Sequence, residues 1–309
     1  MNRRELFGLG AGILGGAATP TSHATFPPRR IAEEIPFGDV TARPDPLPAP
    51  REWPVAVAFV LADGVSVPDL FGPWSVFQSV RLPSHTQPPF LPYTVADSGA
   101  AIGASGGLQI LANYTCEAAP LPKVLVVPGS HPPSVAMLGW IRLASRQTDV
   151  TMSVCTGAFT LARAGLLKGR CATTHHNAYT DLAMQFPDVV VRRGMRFVES
   201  GNLATAGGQG CGIDLALRVV ERYLGRAAAA ETALYMEYQG QGWTDMHSNL
   251  VFSRHHVSTP AHPLCPVCEM SVDTRIASHS TYRRQTYYFC MAAHKAAFDA
   301  APARYLEAL

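Results

Sequence analysis

The stretch that decides the fold spans residues 151–168 and reads T-M-S-V-C-T-G-A-F-T-L-A-R-A-G-L-L-K. Its first part, 151–154, is short, β-branched and apolar, which predicts a buried strand. From 158 to 167 apolar residues recur at helical spacing, and Lys168-Gly169 predicts the end of that helix. Cys155 is therefore predicted to lie on a sharp turn between a strand and a helix.

A thiol on such a turn faces free backbone N–H groups and the positive end of the helix dipole. Both favour the thiolate, so we expect a lowered pKa and a reactive nucleophile at Cys155. Serine hydrolases place their nucleophile on a comparable turn above a parallel sheet. The alternative is a buried structural cysteine, which is what most free cysteines are. The pattern of a strand, a cysteine, a small residue and a helix favours the nucleophilic role for Cys155.

Composition sets limits on the class of protein. Of the 309 residues, 47% are hydrophobic and 16% charged, which is enough apolar material for one sizeable core and a smaller module. The formal net charge of +2 gives no reason to expect a nucleic-acid partner. No apolar run reaches transmembrane length, so we expect no membrane span after signal cleavage. The seven cysteines are an odd number, so in an exported chain at least one is free or bound to metal, while Cys171 and Cys211 could form a disulfide.

The N-terminal residues 1–24 are predicted to be a targeting segment. Arg3-Arg4 precedes a glycine-rich, mildly apolar stretch and a plausible cleavage site at residues 22–24. This pattern resembles a twin-arginine export signal and predicts a periplasmic or otherwise exported protein. An ordinary Sec signal or an uncleaved anchor is the alternative. Residues 25–52 are rich in Pro and Arg and are predicted to be a linker or an arm over the domain.

Residues 53–240 alternate buried strands with helices. A first strand at 53–61 is followed by a helix predicted to begin after Gly72, with Pro73 in its first turn. A strand at 123–127 precedes the Cys155 unit, and a long helix is predicted at 212–224. This alternation predicts an α/β domain with a flavodoxin-like parallel sheet sandwiched by helices.

In such folds the site lies at the carboxyl ends of the strands. Asp69 would lie there beside Cys155, and a carboxyl next to a thiolate has a raised pKa and can donate a proton. The alternative is that Asp69 only caps the following helix. The two adjacent histidines could act as bases, although a satisfied or exposed histidine is the more common case. The candidate site residues at this edge are Asp69, Gly129, Ser130, Cys155, Thr156, His175, His176 and Gly208.

Several motifs in order resemble the ThiJ/PfpI superfamily, which has the class I glutamine-amidotransferase-like fold. The motifs are P-D-L-F-G-P-W-S-V-F (68–77), V-V-P-G-S (126–130), S-V-C-T-G-A-F-T-L-A-R-A-G-L-L-K-G-R (153–170), A-T-T-H (172–175) and A-T-A-G-G-Q-G-C-G-I-D-L-A-L (204–217). The pair D-L-x-G-P and C-T-G-A looks most like the isonitrile hydratase branch, and like the sensor half of certain AraC-type regulators. No helix-turn-helix pattern follows, and the export signal argues against a regulator.

The hydratase resemblance implies a reaction and a role for each residue. Cys155 would attack the carbon of an isonitrile, Asp69 would move protons and position water, and Thr156 would orient the intermediate. The product would be an N-substituted formamide, with no cofactor, and the superfamily often forms dimers. One departure is His176, which stands where the family has Trp and makes one wall of the pocket polar. A peptidase is less favoured because Thr156, and not His, follows the cysteine.

The chain ends in a second module, predicted at 263–309 after a linker at 241–262. Cys265-x-x-Cys268 and Cys290-x-x-x-His294 have metal-ligand spacing, and thiolates with imidazole suit zinc or copper(I). The segment resembles the small α+β YHS domain, in which Cys268 and Cys290 would match metal-linked cysteines. A Cys268–Cys290 disulfide is the alternative, and either link would stabilise a core this small.

Two functions remain open at this point. The first is an exported cysteine-dependent enzyme of the hydratase type, acting on a small molecule, with an accessory metal-binding module. The second is a non-catalytic heavy-metal-binding or redox and stress-response protein built on the same scaffold.

Overall fold

A computed structural model describes residues 46–48, 50, 53–82, 86–186, 188–252, 259–266 and 271–306. The predicted export signal and most of the predicted Pro-rich linker lie outside these residues. Of that linker, Leu47 donates its backbone N–H to the Arg222 carbonyl at 2.8 Å and packs on the core, as expected of an arm over the domain.

The strands in the described part of the chain fall into one large sheet and three short pairs. In chain order they are β1 (Val55–Val60), β2 (Phe90–Ala96), β3 (Ile102–Gly103), β4 (Gln109–Ile110), β5 (Tyr114–Thr115), β6 (Val124–Val127), β7 (Val150–Val154), β8 (Cys171–Ala172), β9 (Val190–Val191), β10 (Phe197–Ser200), β11 (Leu203–Ala206), β12 (Ser278–Tyr282) and β13 (Gln285–Phe289).

The α-helices of the same residues connect or follow these strands. They are α1 (Val67–Ser79), α2 (Val135–Ser145), α3 (Gly157–Arg163), α4 (Tyr179–Gln185), α5 (Gln209–Leu224), α6 (Arg226–Tyr235), α7 (Ala292–Ala300) and α8 (Pro302–Leu306). Among the described helices, none combines the length and the apolar character that crossing a membrane requires.

The large sheet has the strand order β10-β11-β7-β6-β1-β2-β5. Every neighbouring pair in it is parallel except β10 and β11, which are antiparallel at one edge. Alternate residues of β1 face opposite sides: Val57 and Phe59 belong to the core under α1 and α5, and Ala58 and Val60 to the core under α2 and α3. The predicted flavodoxin-like sheet with helices on both faces is confirmed.

Two predicted helix boundaries are wrong. Helix α1 begins at Val67 and not after Gly72, so Pro68 occupies its first turn and Pro73 lies inside it. Because the helix starts earlier, Leu70 belongs to α1 and is buried in the same core as Phe77. Helix α3 ends at Arg163 and the chain continues in turns, whereas the apolar spacing predicted a helix to residue 167.

The first part of the predicted linker, 241–262, is packed on the α/β domain. Two single-turn 3-10 helices, Gly242–Thr244 and Leu250–Phe252, lie in it, and the Trp243 side chain is 5% exposed. Arg196 donates its backbone N–H to the Met246 carbonyl at 2.7 Å. The sequence here lacks periodicity because isolated side chains, and not a regular helix face, make the contacts.

The C-terminal residues form a small hairpin and helix unit. Strands β12 and β13 pair antiparallel, and β13 leads into α7. A separate core contains the buried side chains of Cys265, Val272, Phe289 and Phe298. The boundaries proposed for the two domains stay predictions.

Candidate functional site

Cys155 occupies a strained turn at the carboxyl end of β7. Its φ angle is +57°, in the left-handed region that non-glycine residues rarely adopt. Its N–H donates to the carbonyls of Gly207 (2.8 Å) and Ala206 (3.2 Å), and the Thr174 hydroxyl donates to its carbonyl at 2.8 Å. Neighbouring segments thus hold the strained backbone in place, as at the nucleophile turns of hydrolases.

The helix that follows is held close to the neighbouring strand. A Cβ atom at Gly157 would overlap the Val127 carbonyl oxygen and come within 3.0 Å of Pro128. Glycine is required here because only a residue without a side chain permits this approach. The contact brings Thr156 and Cys155 to the end of β6, next to Gly129.

Asp69 lies in the first turn of α1 and is fully buried. Neither of its carboxylate oxygens has a hydrogen-bond partner among the described residues. The helix N-cap is Ser66, so the alternative that Asp69 caps the helix is wrong. A carboxylate buried in this way is costly unless it is protonated or is bound by water or a ligand.

Gly129, Thr156 and Cys155 surround that carboxylate. A Cβ at Gly129 would lie 2.9 Å from Asp69 Oδ2 and 2.6 Å from Thr156 Oγ1, so the backbone of this loop forms one wall. The structure therefore brings together Asp69, Cys155, Thr156 and Gly129, as predicted. Ser130 is directed elsewhere, because its hydroxyl donates to the His131 carbonyl at 2.9 Å.

The pKa values of the two acids are both raised. Burial raises the pKa of Asp69, against the opposing effects of Ser66, Gly129 and Cys155, none of which reaches hydrogen-bonding geometry with the carboxylate. Burial first, and then the charge of Asp69, raise the pKa of the Cys155 thiol to about 12, while the Thr156 N–H opposes this. The predicted lowering of the Cys155 pKa is wrong, because loss of water outweighs the end of a seven-residue helix.

Two adjacent acids that both resist ionisation titrate as a pair. Between the two ionisation steps the pair of Asp69 and Cys155 holds one proton, which can lie on either group. Such a pair can pass a proton from the sulfur to the carboxylate as the sulfur attacks an electrophile. The geometry thus places a thiol and a carboxyl that can exchange a proton side by side in one largely buried site.

The rings of the two histidines lie against each other beside the loop after β11. The His175 ring would lie 3.1 Å from a Cβ at Gly208, and its centroid is 4.3 Å from that of His176. His176 is exposed and stacks on Phe252 at 4.8 Å. Burial, and then His176, lower the pKa of His175. His175 Nδ1 accepts from the Asn177 N–H at 3.3 Å, which leaves the proton of the neutral ring on Nε2 as a donor.

The DJ-1/PfpI family profile matches residues 55–222. The chain belongs to the DJ-1/PfpI family. It is 35% identical over 187 residues to isonitrile hydratase from Pseudomonas putida, an alignment that covers 59% of this chain and 78% of that enzyme. The HTH-type transcriptional regulator CdhR from Pseudomonas aeruginosa is 28% identical over 147 residues, covering 46% of this chain and 43% of the regulator. A solved ThiJ/PfpI family protein from Pseudomonas syringae has a TM-score of 0.55 and 25% identity over 68% of this chain and 84% of that one.

We call the large sheet with its covering helices the DJ-1/PfpI domain. A buried polar network in it, which the sequence analysis missed, supports the loop that holds Cys155. The Arg196 guanidinium pairs with Asp214 and donates to Asn249 Oδ1 at 3.0 Å, and Asn249 donates to Cys211 Sγ at 3.3 Å. The Arg196 carbonyl accepts the Gly207 N–H at 3.0 Å. The one feature of the sequence that could have indicated this network was Asp214, a charged residue within the apolar pattern of α5.

The possible disulfide between Cys171 and Cys211 is not present, since both are free thiols. Cys211 is buried in the network of Arg196 and Asn249, and burial raises the pKa of its thiol. It is a structural cysteine of the DJ-1/PfpI domain and not a pocket residue.

In the C-terminal module, Cys265, Cys290 and His294 come together with their ligand atoms within 4.8 Å of one another. His294 Nδ1 lies 3.2 Å from Cys290 Sγ and 3.9 Å from Cys265 Sγ. Cys268 lies outside the described residues, so its place in the predicted ligand set stays a prediction.

These distances fit a soft divalent or monovalent metal. Zn–S bonds of about 2.3 Å and Zn–N bonds of about 2.0 Å in a tetrahedron separate ligand atoms by about 3.5–3.8 Å. The observed 3.2 and 3.9 Å bracket that range. Two thiolates and an imidazole are the donors that zinc and copper(I) prefer.

Proposed function

We propose that this protein is a cysteine-dependent enzyme that adds water to an isonitrile or a similar small electrophile. The observation that carries the proposal is the fully buried, unpartnered Asp69 carboxylate beside Cys155 on its strained turn. The similarity to isonitrile hydratase over 78% of that enzyme supports the choice of reaction.

In the first step, the Cys155 sulfur forms a bond to the isonitrile carbon. The thiol proton passes to the Asp69 carboxylate and from there to the same carbon. The product of this step is a covalent thioimidate, R–N=CH–S–Cys155. No net charge develops in this step, which suits a largely buried site.

In the second step, water adds to the thioimidate carbon. Asp69 accepts a proton from the water and delivers it to the nitrogen, giving R–NH–CH(OH)–S–Cys155. The C–S bond then breaks as the hydroxyl becomes a carbonyl, and its proton returns to the sulfur through Asp69. The N-substituted formamide leaves, and Cys155 and Asp69 again hold one proton between them.

Thr156 and His175 assist in this scheme. The Thr156 N–H and hydroxyl lie near the Cys155 sulfur and favour negative charge on it, so they stabilise the attacking sulfur. His175 supplies a neutral polar wall for the substrate. Together with His176 it would favour a substrate with a polar substituent over a purely hydrocarbon one.

The experiment that tests the proposal measures formamide from a simple alkyl isonitrile. We expect turnover by the mature wild-type protein and a loss of at least about 10³-fold in Cys155→Ala, as for removal of other covalent nucleophiles. Cys171→Ala is the matched control, because that free thiol lies outside the site, and it should keep wild-type turnover. Turnover that survives in Cys155→Ala would contradict the mechanism.

We further propose that the C-terminal module is a YHS-like domain that binds zinc or copper(I) and is accessory to the enzyme. The Cys265, Cys290 and His294 cluster and the hairpin–helix unit that contains it support this proposal. Cys268 would supply the fourth ligand. Metal analysis after native purification tests it: about one metal ion per chain is expected, and metal-free protein with oxidised cysteines would contradict it.

The same cluster favours the second candidate function, a heavy-metal-binding or redox and stress-response protein. In that case the wild-type protein would bind metal and Cys155 would be reversibly oxidised. Neither the wild-type protein nor Cys155→Ala would produce formamide. The isonitrile assay therefore separates the two functions.

We also propose that the protein is exported through the twin-arginine route and forms a homodimer. Arg3-Arg4 support the first proposal. Replacing both with Lys should retain the protein in the cytoplasm, and export at the wild-type level would contradict the route. Sedimentation of the mature protein tests the dimer.

A further inference from the structure

Helix α4 lies between the two hydrophobic cores of the molecule. Its Leu182 is fully buried in the core of the DJ-1/PfpI domain, whereas its Met184 packs against the core of the C-terminal module. Asp181 and Met184 are three residues apart and therefore share one face of this helix. The DJ-1/PfpI domain thus contacts the C-terminal module through both an apolar side chain and a carboxylate.

The Asp181 carboxylate contacts the group formed by Cys265, Cys290 and His294 on the side of the histidine ring that faces away from the two cysteines. Asp181 Oδ1 lies 3.0 Å from His294 Nε2, while Nδ1 of the same ring faces Cys290 and Cys265. The His294 side chain is 8% exposed and that of Asp181 35%. With Nδ1 free to bind metal, Nε2 carries the proton and donates it to Asp181.

We propose that Asp181 of the DJ-1/PfpI domain is a positioning residue for the metal site, so that metal binding by the C-terminal module depends on its contact with α4. This inference rests on the proposed metal-binding function. A ligating histidine commonly donates its second N–H to a carboxylate, which fixes the ring orientation and raises the ligand basicity. Here the carboxylate comes from 113 residues earlier in the chain.

The contact also joins the metal site to the wall of the candidate active site. The 3-10 turn His176–Ala178 leads directly into α4, and His175 before it lies against Gly208. Metal binding that fixes His294 should therefore stabilise α4 and the two histidines, because coupling between two sites is reciprocal. Metal would order one side of the pocket without contacting the substrate.

The test measures Co²⁺ binding to the full mature chain with reduced thiols, in competition with a chelator. We expect Asp181→Asn to weaken Co²⁺ affinity by about 10–100-fold, the usual effect of losing such a carboxylate. The thiolate-to-cobalt absorption band should keep its position at saturation, since the ligands are unchanged. Asp188→Asn is the matched control, because its carboxylate is 65% exposed and pairs only weakly with Lys168 at 3.9 Å. It should bind as wild type.

Two further measurements keep the outcome decisive. Asp181→Glu should recover part of the affinity, because a carboxylate is again available. Hydrogen exchange of α4 should slow when Co²⁺ is added to the wild-type chain, and this protection should be lost in Asp181→Asn. Wild-type affinity in Asp181→Asn, with cobalt bound by the wild-type chain, would overturn this inference alone. A wild-type chain that binds no Co²⁺ would overturn the metal-binding proposal and the inference together.

Discussion

At the scale of single residues, Asp69 and Cys155 are two acids held side by side, the first fully buried and the second partly buried. Burial raises the pKa of both, so ionising Asp69 costs more in the folded protein than in the unfolded chain. Such a group weakens folding at every pH above the ordinary carboxyl pKa of about 3.9. In the proposed mechanism, the same pair takes a proton from the sulfur and returns it.

We therefore predict that Asp69→Asn is inactive yet more stable than wild type. The neutral amide keeps the shape of the side chain and removes the buried charge, so the free energy of unfolding at pH 7 should rise by about 0.5–2 kcal/mol. Because the raised pKa leaves the folded and unfolded chains equally protonated in acid, the gain should disappear as the pH falls below about 3.9.

Denaturant unfolding at pH 7 and pH 3.5, with the formamide assay at pH 7, checks this. Asp63→Asn is the control, since that carboxylate is 74% exposed and should show no stability gain. An Asp69→Asn protein less stable than wild type at pH 7 would show that the carboxylate is satisfied in the folded state.

The sequence could predict which residues lie in this site but not how their protons behave. Cys155, Thr156 and Gly129 follow from strand ends and helix starts, whereas for Asp69 the sequence left a helix cap as an equal alternative. The direction of the thiol pKa could not be predicted because it depends on burial by loops that come from distant parts of the chain. Ser130 was predicted at the right edge, yet its hydroxyl is bound to its own loop.

At the scale of elements, the position of the nucleophile depends on how closely α3 approaches β6. Gly157 permits that contact, and Thr156 and Cys155 depend on it for their position. The boundaries of α1 and α3 could not be read from the sequence. Gly72-Pro73 suggested a helix start inside α1, and the apolar spacing extends past the true end of α3. Tertiary contacts, such as the burial of Leu70 in α1, decide where a helix begins.

We predict that Gly157→Ala lowers both stability and turnover. The new methyl group would overlap the Val127 carbonyl and displace α3, so we expect a loss of about 1–3 kcal/mol and a lower kcat, as for other overpacked sites. Gly139→Ala is the matched control, because Gly139 lies within α2 with its nearest neighbour 3.9 Å away. That substitution should stabilise the protein by about 0.4–1 kcal/mol and leave turnover unchanged. Equal effects of the two substitutions on kcat would contradict the role given to Gly157.

At the scale of the whole molecule, two modules that the sequence predicted separately are joined through α4. The cysteine and histidine spacing indicated the candidate metal ligands, and the strand and helix alternation indicated the large domain. The Asp181–His294 contact could not be predicted, since no local pattern relates residues 113 positions apart. The packing of Trp243 on the large domain escaped prediction for the same reason.

The small core of the C-terminal module leads to the last prediction. Its described fully buried apolar side chains are Cys265, Val272, Phe289 and Phe298, a small core to which the proposed metal would add a large share of the stability. Since metal binding contributes directly to folding in such modules, chelation should unfold this module while the DJ-1/PfpI domain stays folded. Hydrogen exchange with and without a chelator should show lost protection in α7 and β13 and retained protection in β1 and β7. Unchanged exchange in α7 after complete metal removal would mean that the module is held by its packing on α4 and not by a metal.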